Sequence, residues 1–109
     1  MEMSEEAAEL GPIATKVLYE DDDIRIWDQR LEPGQLLPPH KHECDYLLCD
    51  VSGDLIEAES LPGNEGEFEG RIELNVRRGN AILVRKGGVE QARNIGKQPF
   101  RAILIEYKD

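Results

Sequence analysis

Between residues 24 and 107 the chain is a succession of short alternating or apolar runs, closed by clusters of Gly, Pro, Asn or Asp. Ile24–Leu31 (IRIWDQRL), 55–59 (LIEAE), 71–76 (RIELNV), Ala81–Val84 (AILV), 90–94 and Phe100–Tyr107 (FRAILIEY) all have this form. Side chains alternate across a strand, so a two-residue period gives one buried face. A helix instead needs apolar residues three and four apart. Almost no stretch keeps that helical spacing. Many short strands with regular turn punctuation predict an all-β sandwich or barrel. Residues 13–19 (IATKVLY) read as a first strand and 61–70 (LPGNEGEFEG) as an exposed loop joining two halves. After Ser52-Gly53-Asp54, residues 55–59 are expected to return antiparallel.

At 109 residues the chain is long enough for one core and too short for two. Residues 1–12 read as a flexible acidic arm ended by Gly11-Pro12, and 13–109 as a single domain. The formal net charge of −10 repels polyanions, so neither nucleic acid nor an anionic membrane is expected as a partner. No apolar run approaches the length of a membrane span, and MEMSEEAAEL lacks the basic and apolar parts of a secretion signal. A cytoplasmic location is therefore expected.

Residues 34–53 (GQLLPPHKHECDYLLCDVSG) carry the chemistry. Read as one extended strand, they place His40 and His42 on the same face, roughly 6–7 Å apart at their Cα atoms. Neutral imidazole is a good ligand for a divalent metal, so two such rings on a stiff strand form half of a coordination sphere. The same parity adds Cys44, Tyr46 and Leu48 to that face. Cys44 and Cys49 would stand about 16 Å apart on opposite faces, beyond disulfide reach. After Asp45 both faces of the run are apolar, with Leu47, Cys49 and Val51 opposite Tyr46 and Leu48, which requires cover on both sides. A second copy, in a homodimer, or the N-terminal strand would supply the outer cover.

The glycine spacing adds a resemblance. Gly34, five residues, His40-x-His42, three residues, Tyr46, six residues, Gly53 resembles the first motif of the cupins. Gly79, five residues, Arg85, one residue, Gly87, two residues, Glu90, three residues, Asn94 has the spacing of the second. The resemblance implies a double-stranded β-helix, the jelly-roll barrel, with a metal at the HxH pair. This chain departs from the pattern at three places. Tyr46 stands where the family has a carboxylate or amide ligand, Glu90 where it has a third histidine, and Arg85 in the proline position. If the faces carrying His40, His42 and Glu90 turn inward, two imidazoles and one carboxylate converge, a set that suits iron, manganese or zinc, with nickel a further candidate. A one-residue slip in the Gly87-Gly88 turn would put Gln91 in the third position instead. The stretch from His40 to Tyr46 also looks like the HxHxxxDY form of small bacterial cupins labelled β-alanine degradation proteins, a label that implies no particular reaction.

Three functions follow as expectations. The first is a metal-dependent enzyme acting on a small organic acid or carbonyl compound, with Tyr46 as an acid or base and Arg85 binding an anionic substrate. The second is a non-catalytic small-molecule-binding protein using the same pocket, and the third a metal-free interaction module.

Overall fold

The computed structural model describes residues 10–108, and so most of the acidic arm lies outside it. The described residues form nine strands: β1 (Lys16–Glu20), β2 (Ile24–Leu31), β3 (Leu36–Lys41), β4 (Asp45–Ser52), β5 (Leu55–Ser60), β6 (Arg71–Asn75), β7 (Ala81–Val84), β8 (Val89–Asn94) and β9 (Phe100–Tyr107). One sheet has the order β1-β2-β9-β4-β7 and the other β3-β8-β5-β6, with every strand pair antiparallel. Apart from the β1–β2 and β5–β6 hairpins, each strand is followed by one in the opposite sheet. That winding makes the jelly roll.

The β2–β9 ladder runs unbroken from Ile24 opposite Tyr107 to Leu31 opposite Phe100. Its inward residues, with Tyr46 and Leu48 of β4, meet Ile56 and Ala92 of the other sheet in one core. Trp27 packs on that core and donates its indole N–H to Glu106 Oε1 at 2.6 Å. Asn94 is fully buried at the end of β8, where its amide donates to the carbonyls of Leu31 and Gln98 and accepts from the Gly96 N–H. It locks three chain segments together.

Three expectations change here. Residues 34–53 are not one strand: the ladder ends at Lys41 and restarts at Asp45, because the chain turns from one sheet to the other at 42–44. Cys44 therefore leaves the parity of the histidines and does not line the cavity, although no disulfide joins it to Cys49. Second, β5 does not pair with β4 despite the short turn. Gly53, at φ 124, passes so close to Phe100 that a Cβ would stand 3.1 Å from its Cα, and the chain crosses to β6 and β8. Third, loop 61–70 is stitched down. Asn64 Oδ1 accepts from the N–H groups of Gly66 and Val89, and its amide donates to the Phe68 carbonyl.

Gly11, assigned to the arm from sequence, forms a parallel bridge to His40 and donates its N–H to the Pro39 carbonyl at 2.9 Å. It covers β3 where that edge strand needs cover. Ile13 and Ala14 are buried just behind it, outside any strand.

Candidate metal centre and cavity

β3 is an edge strand, and Pro38-Pro39 have no N–H to offer a neighbour there. The ladder to β8 shifts register between Leu37 and His40, which brings His40 opposite Glu90. One residue beyond β3, His42 continues the contact: its N–H donates to the Gly88 carbonyl and its carbonyl accepts from Gly87 N–H. Gly87 must be glycine for this, since its φ is 109 and a Cβ would stand 3.0 Å from the Glu65 carbonyl oxygen.

The result is a tight triad. Glu90 Oε2 lies 3.4 Å from His40 Nε2 and 3.3 Å from His42 Nε2, and ligand atoms from all three residues lie within 4.8 Å of one another. Both imidazoles are buried, and the Glu90 side chain is 12% exposed. Burial alone would raise the Glu90 pKa, but hydrogen bonds from the two imidazoles outweigh it and hold the carboxyl at about 2.

The donor set fits a divalent metal on two counts. His40 Nδ1 stands 2.9 Å from the Pro38 carbonyl, which can only accept, so that nitrogen carries the proton. Nε2 is then the nitrogen turned to the carboxylate: it donates to Glu90 when the ring is protonated and offers its lone pair to a cation shared with Glu90 when the ring is neutral. The two carboxylate–imidazole separations, 3.4 and 3.3 Å, agree too, since ligand atoms on bonds of about 2.1 Å stand roughly 3.0–3.4 Å apart at octahedral and tetrahedral angles. His42 differs from the usual pattern: its Nδ1 is buried with no partner.

Tyr46 lies against this centre. Its ring stacks on His42, 4.2 Å between centroids at 21°. Burial, followed by the charges of Glu90 and Glu106, pushes its hydroxyl well above the ordinary tyrosine range. A base role, which needs a lowered pKa, finds no support in this environment. Gln91 is turned away from the triad, its amide donating to Glu59 Oε1 at 3.1 Å, so Glu90 and not Gln91 meets the histidines. Arg85 sits at the cavity edge, 62% exposed, with Nη1 3.3 Å from Asp45 Oδ2.

The triad forms one wall of a cavity of about 240 Å³. Leu37, Leu48, Ile56, Ala92, Phe100 and Leu104 are among the apolar residues that line the rest. Two contributors went unread in the sequence. Phe68, from the loop expected to be merely exposed, lines the cavity, and so does Gln29. The parity of Gln29 with Trp27 and Leu31 on β2 was the available signal.

No protein-family model matches the chain, and no curated protein does either. Solved structures do. A cupin domain from Bordetella pertussis Tohama I is 21% identical, with a TM-score of 0.76 over 94% of this chain and 99% of that one. A conserved protein with a double-stranded β-helix domain from Klebsiella pneumoniae is 21% identical, at TM-score 0.63 over 90% of this chain and 82% of that one. A salicylate 1,2-dioxygenase from Pseudaminobacter salicylatoxidans is 19% identical, at TM-score 0.57 over 77% of this chain but 22% of that one. The fold is thus the double-stranded β-helix of the cupins. Within the described residues, no helix is long and apolar enough to cross a membrane.

Proposed function

We propose that this protein holds a divalent metal (iron, manganese, nickel or zinc) at His40, His42 and Glu90, and is an enzyme acting on a small organic acid or carbonyl compound in the cavity. The observation that carries the reading is the meeting of two imidazoles and one carboxylate within 4.8 Å at the wall of an apolar chamber. A bound metal would supply Lewis acidity, polarising an oxygen of the compound. The protein's own groups do the rest. Leu37, Leu48, Ile56 and Leu104 exclude water and hold an apolar body. The Tyr46 hydroxyl keeps its proton and serves as a hydrogen-bond donor. Arg85 meets an anionic group at the rim, in competition with Asp45.

The mostly apolar lining equally suits a binding protein without catalysis, which is the second reading. The third is a metal-free interaction module. Elemental analysis of protein purified without chelator separates them: near-stoichiometric metal, lost in His42→Ala, supports the first. Metal-free protein whose melting temperature rises with a small organic acid supports the second, and neither result leaves the third. A cytoplasmic homodimer belongs to the same proposal. Leu83 and Tyr107, 48% and 41% exposed, flank half-buried Leu47 and Ile105 on the outer face of the five-stranded sheet, an apolar strip suited to a second copy.

A further inference from the structure

Gly87, Gly88 and Val89 lead into Glu90, and hydrogen bonds hold this stretch from both sides. On one side the Gly87 N–H donates to the His42 carbonyl at 2.8 Å, and the Gly88 carbonyl accepts from the His42 N–H at 2.9 Å. On the other lies loop 61–70. There the Gly87 carbonyl accepts from the Glu65 N–H and the Val89 carbonyl from the Leu61 N–H, each at 2.9 Å. The Val89 N–H, facing the same loop, donates to Asn64 Oδ1 at 3.1 Å.

That last bond replaces one the ladder has lost. β5 and β8 pair as far as Ser60 opposite Glu90. In an unbroken antiparallel ladder Leu61 and Val89 would exchange both their bonds, with the Val89 N–H on the Leu61 carbonyl. The chain turns there instead, and that carbonyl accepts from the Asn64 N–H at 3.1 Å. The Asn64 side chain supplies the substitute acceptor. Its amide cannot be reversed, because Oδ1 also accepts from the Gly66 N–H at 3.2 Å and Nδ2 donates to the Phe68 carbonyl at 2.9 Å. Val89 is buried, where an unpaired N–H is costly. The substitute also stands near the triad. A Cβ on Gly88 would lie 3.7 Å from both Asn64 Oδ1 and Glu90 Oε1, so the two oxygens are no more than twice that distance apart.

We infer that Asn64 is a positioning residue for the metal centre: by taking the Val89 N–H where the β5–β8 ladder stops, it fixes the backbone that aims Glu90, and through Gly87 and Gly88 also His42, at a shared cation. Its effect on a metal rests on the centre proposed above; its hold on the turn does not.

The test compares the full chain with Asn64→Ala and Gly66→Ala. The second would put a Cβ 2.8 Å from the Gly88 Cα and push the loop off the turn, so it serves should Asn64→Ala fail to fold. Asn94→Ala, at the opposite end of β8, is the stability control. In chelator-treated protein, amide exchange at His42 and Gly87 should speed up roughly tenfold more in Asn64→Ala than exchange in the β2–β9 ladder, which follows overall stability. Calorimetric titration with zinc or manganese should show roughly tenfold weaker binding in Asn64→Ala and Gly66→Ala. Asn94→Ala should stay within about twofold of wild type, as a distant and independent site. A merely structural role would move all the amides together and weaken Asn94→Ala as well. Exchange at His42 and Gly87 that only follows the β2–β9 ladder, or metal affinity unchanged in Asn64→Ala and Gly66→Ala, overturns the inference. If wild type binds neither metal, the metal centre falls, and the local exchange by itself upholds or overturns the hold of Asn64 on the turn.

Discussion

Glu90→Gln keeps the shape of the side chain and removes the negative charge from the triad. In the native protein Oε2 sits 3.4 and 3.3 Å from the two imidazole Nε2 atoms, where a metal bound to all three would have its anionic ligand. Even outer-sphere partners of metal ligands alter affinity by about 10- to 100-fold, so loss of the only carboxylate of the set is expected to cost at least the upper figure. A metal present at about 100 times its dissociation constant stabilises the folded state by about 2.7 kcal/mol. For a domain of this size 1 kcal/mol corresponds to about 4 °C in Tm, so wild type should gain roughly 10 °C. In Glu90→Gln the same concentration would only match the weakened dissociation constant, and the gain falls to about 0.4 kcal/mol, or roughly 2 °C. Scanning calorimetry with manganese, iron, nickel or zinc, against a chelator baseline for each protein, measures both gains. Equal gains in the two proteins would show that the metal sits elsewhere, and no gain in a wild type that elemental analysis finds metal-free would remove the metal centre.

Three further outcomes are expected. Asn94→Ala removes three hydrogen bonds, one buried and two partly buried, and leaves the Leu31 and Gln98 carbonyls without this donor, so urea denaturation should show a loss of about 3 kcal/mol with native topology otherwise retained. Burial alone would raise the Asp28 pKa, but Arg30 and Arg101, each with Nε 2.9 Å from it, draw it below the usual carboxylate range. Its contribution is therefore present above the unfolded carboxylate pKa and lost as pH falls through the lower folded value. Asp28→Asn should flatten the acid limb of a stability–pH curve by about 0.5 kcal/mol, since both arginines reach solvent. For the dimer, light scattering should give twice the chain mass for wild type and the monomer mass for Leu83→Glu, and a monomeric wild type would dispose of the proposal.

How legible the molecule was in its sequence varies by segment. β2 and β9 begin and end where their alternation does, because their two-residue period is long, unbroken and bounded by turn residues. Residues 34–53 misled for the opposite reason. No Gly or Pro marks a turn between His40 and Asp45, yet the backbone turns a corner there. The choice between Glu90 and Gln91 was likewise open to a one-residue slip, and a slip of one reverses every side chain on a strand. The β3–β8 register settles which of the two faces the histidines: His40 stands opposite Glu90.

Turn chemistry and strand parity were enough to indicate an all-β sandwich or barrel and to put His40 and His42 on one face, because both act over a few residues and are written in them. The jelly roll and the place of Glu90 came from the resemblance to the cupin motifs, with Gln91 still open. The cavity's apolar lining and the upward shift at Tyr46 arise only when distant segments meet. Burial and hydrogen-bond partnership belong to pairs of strands remote in the chain, and no single stretch contains them.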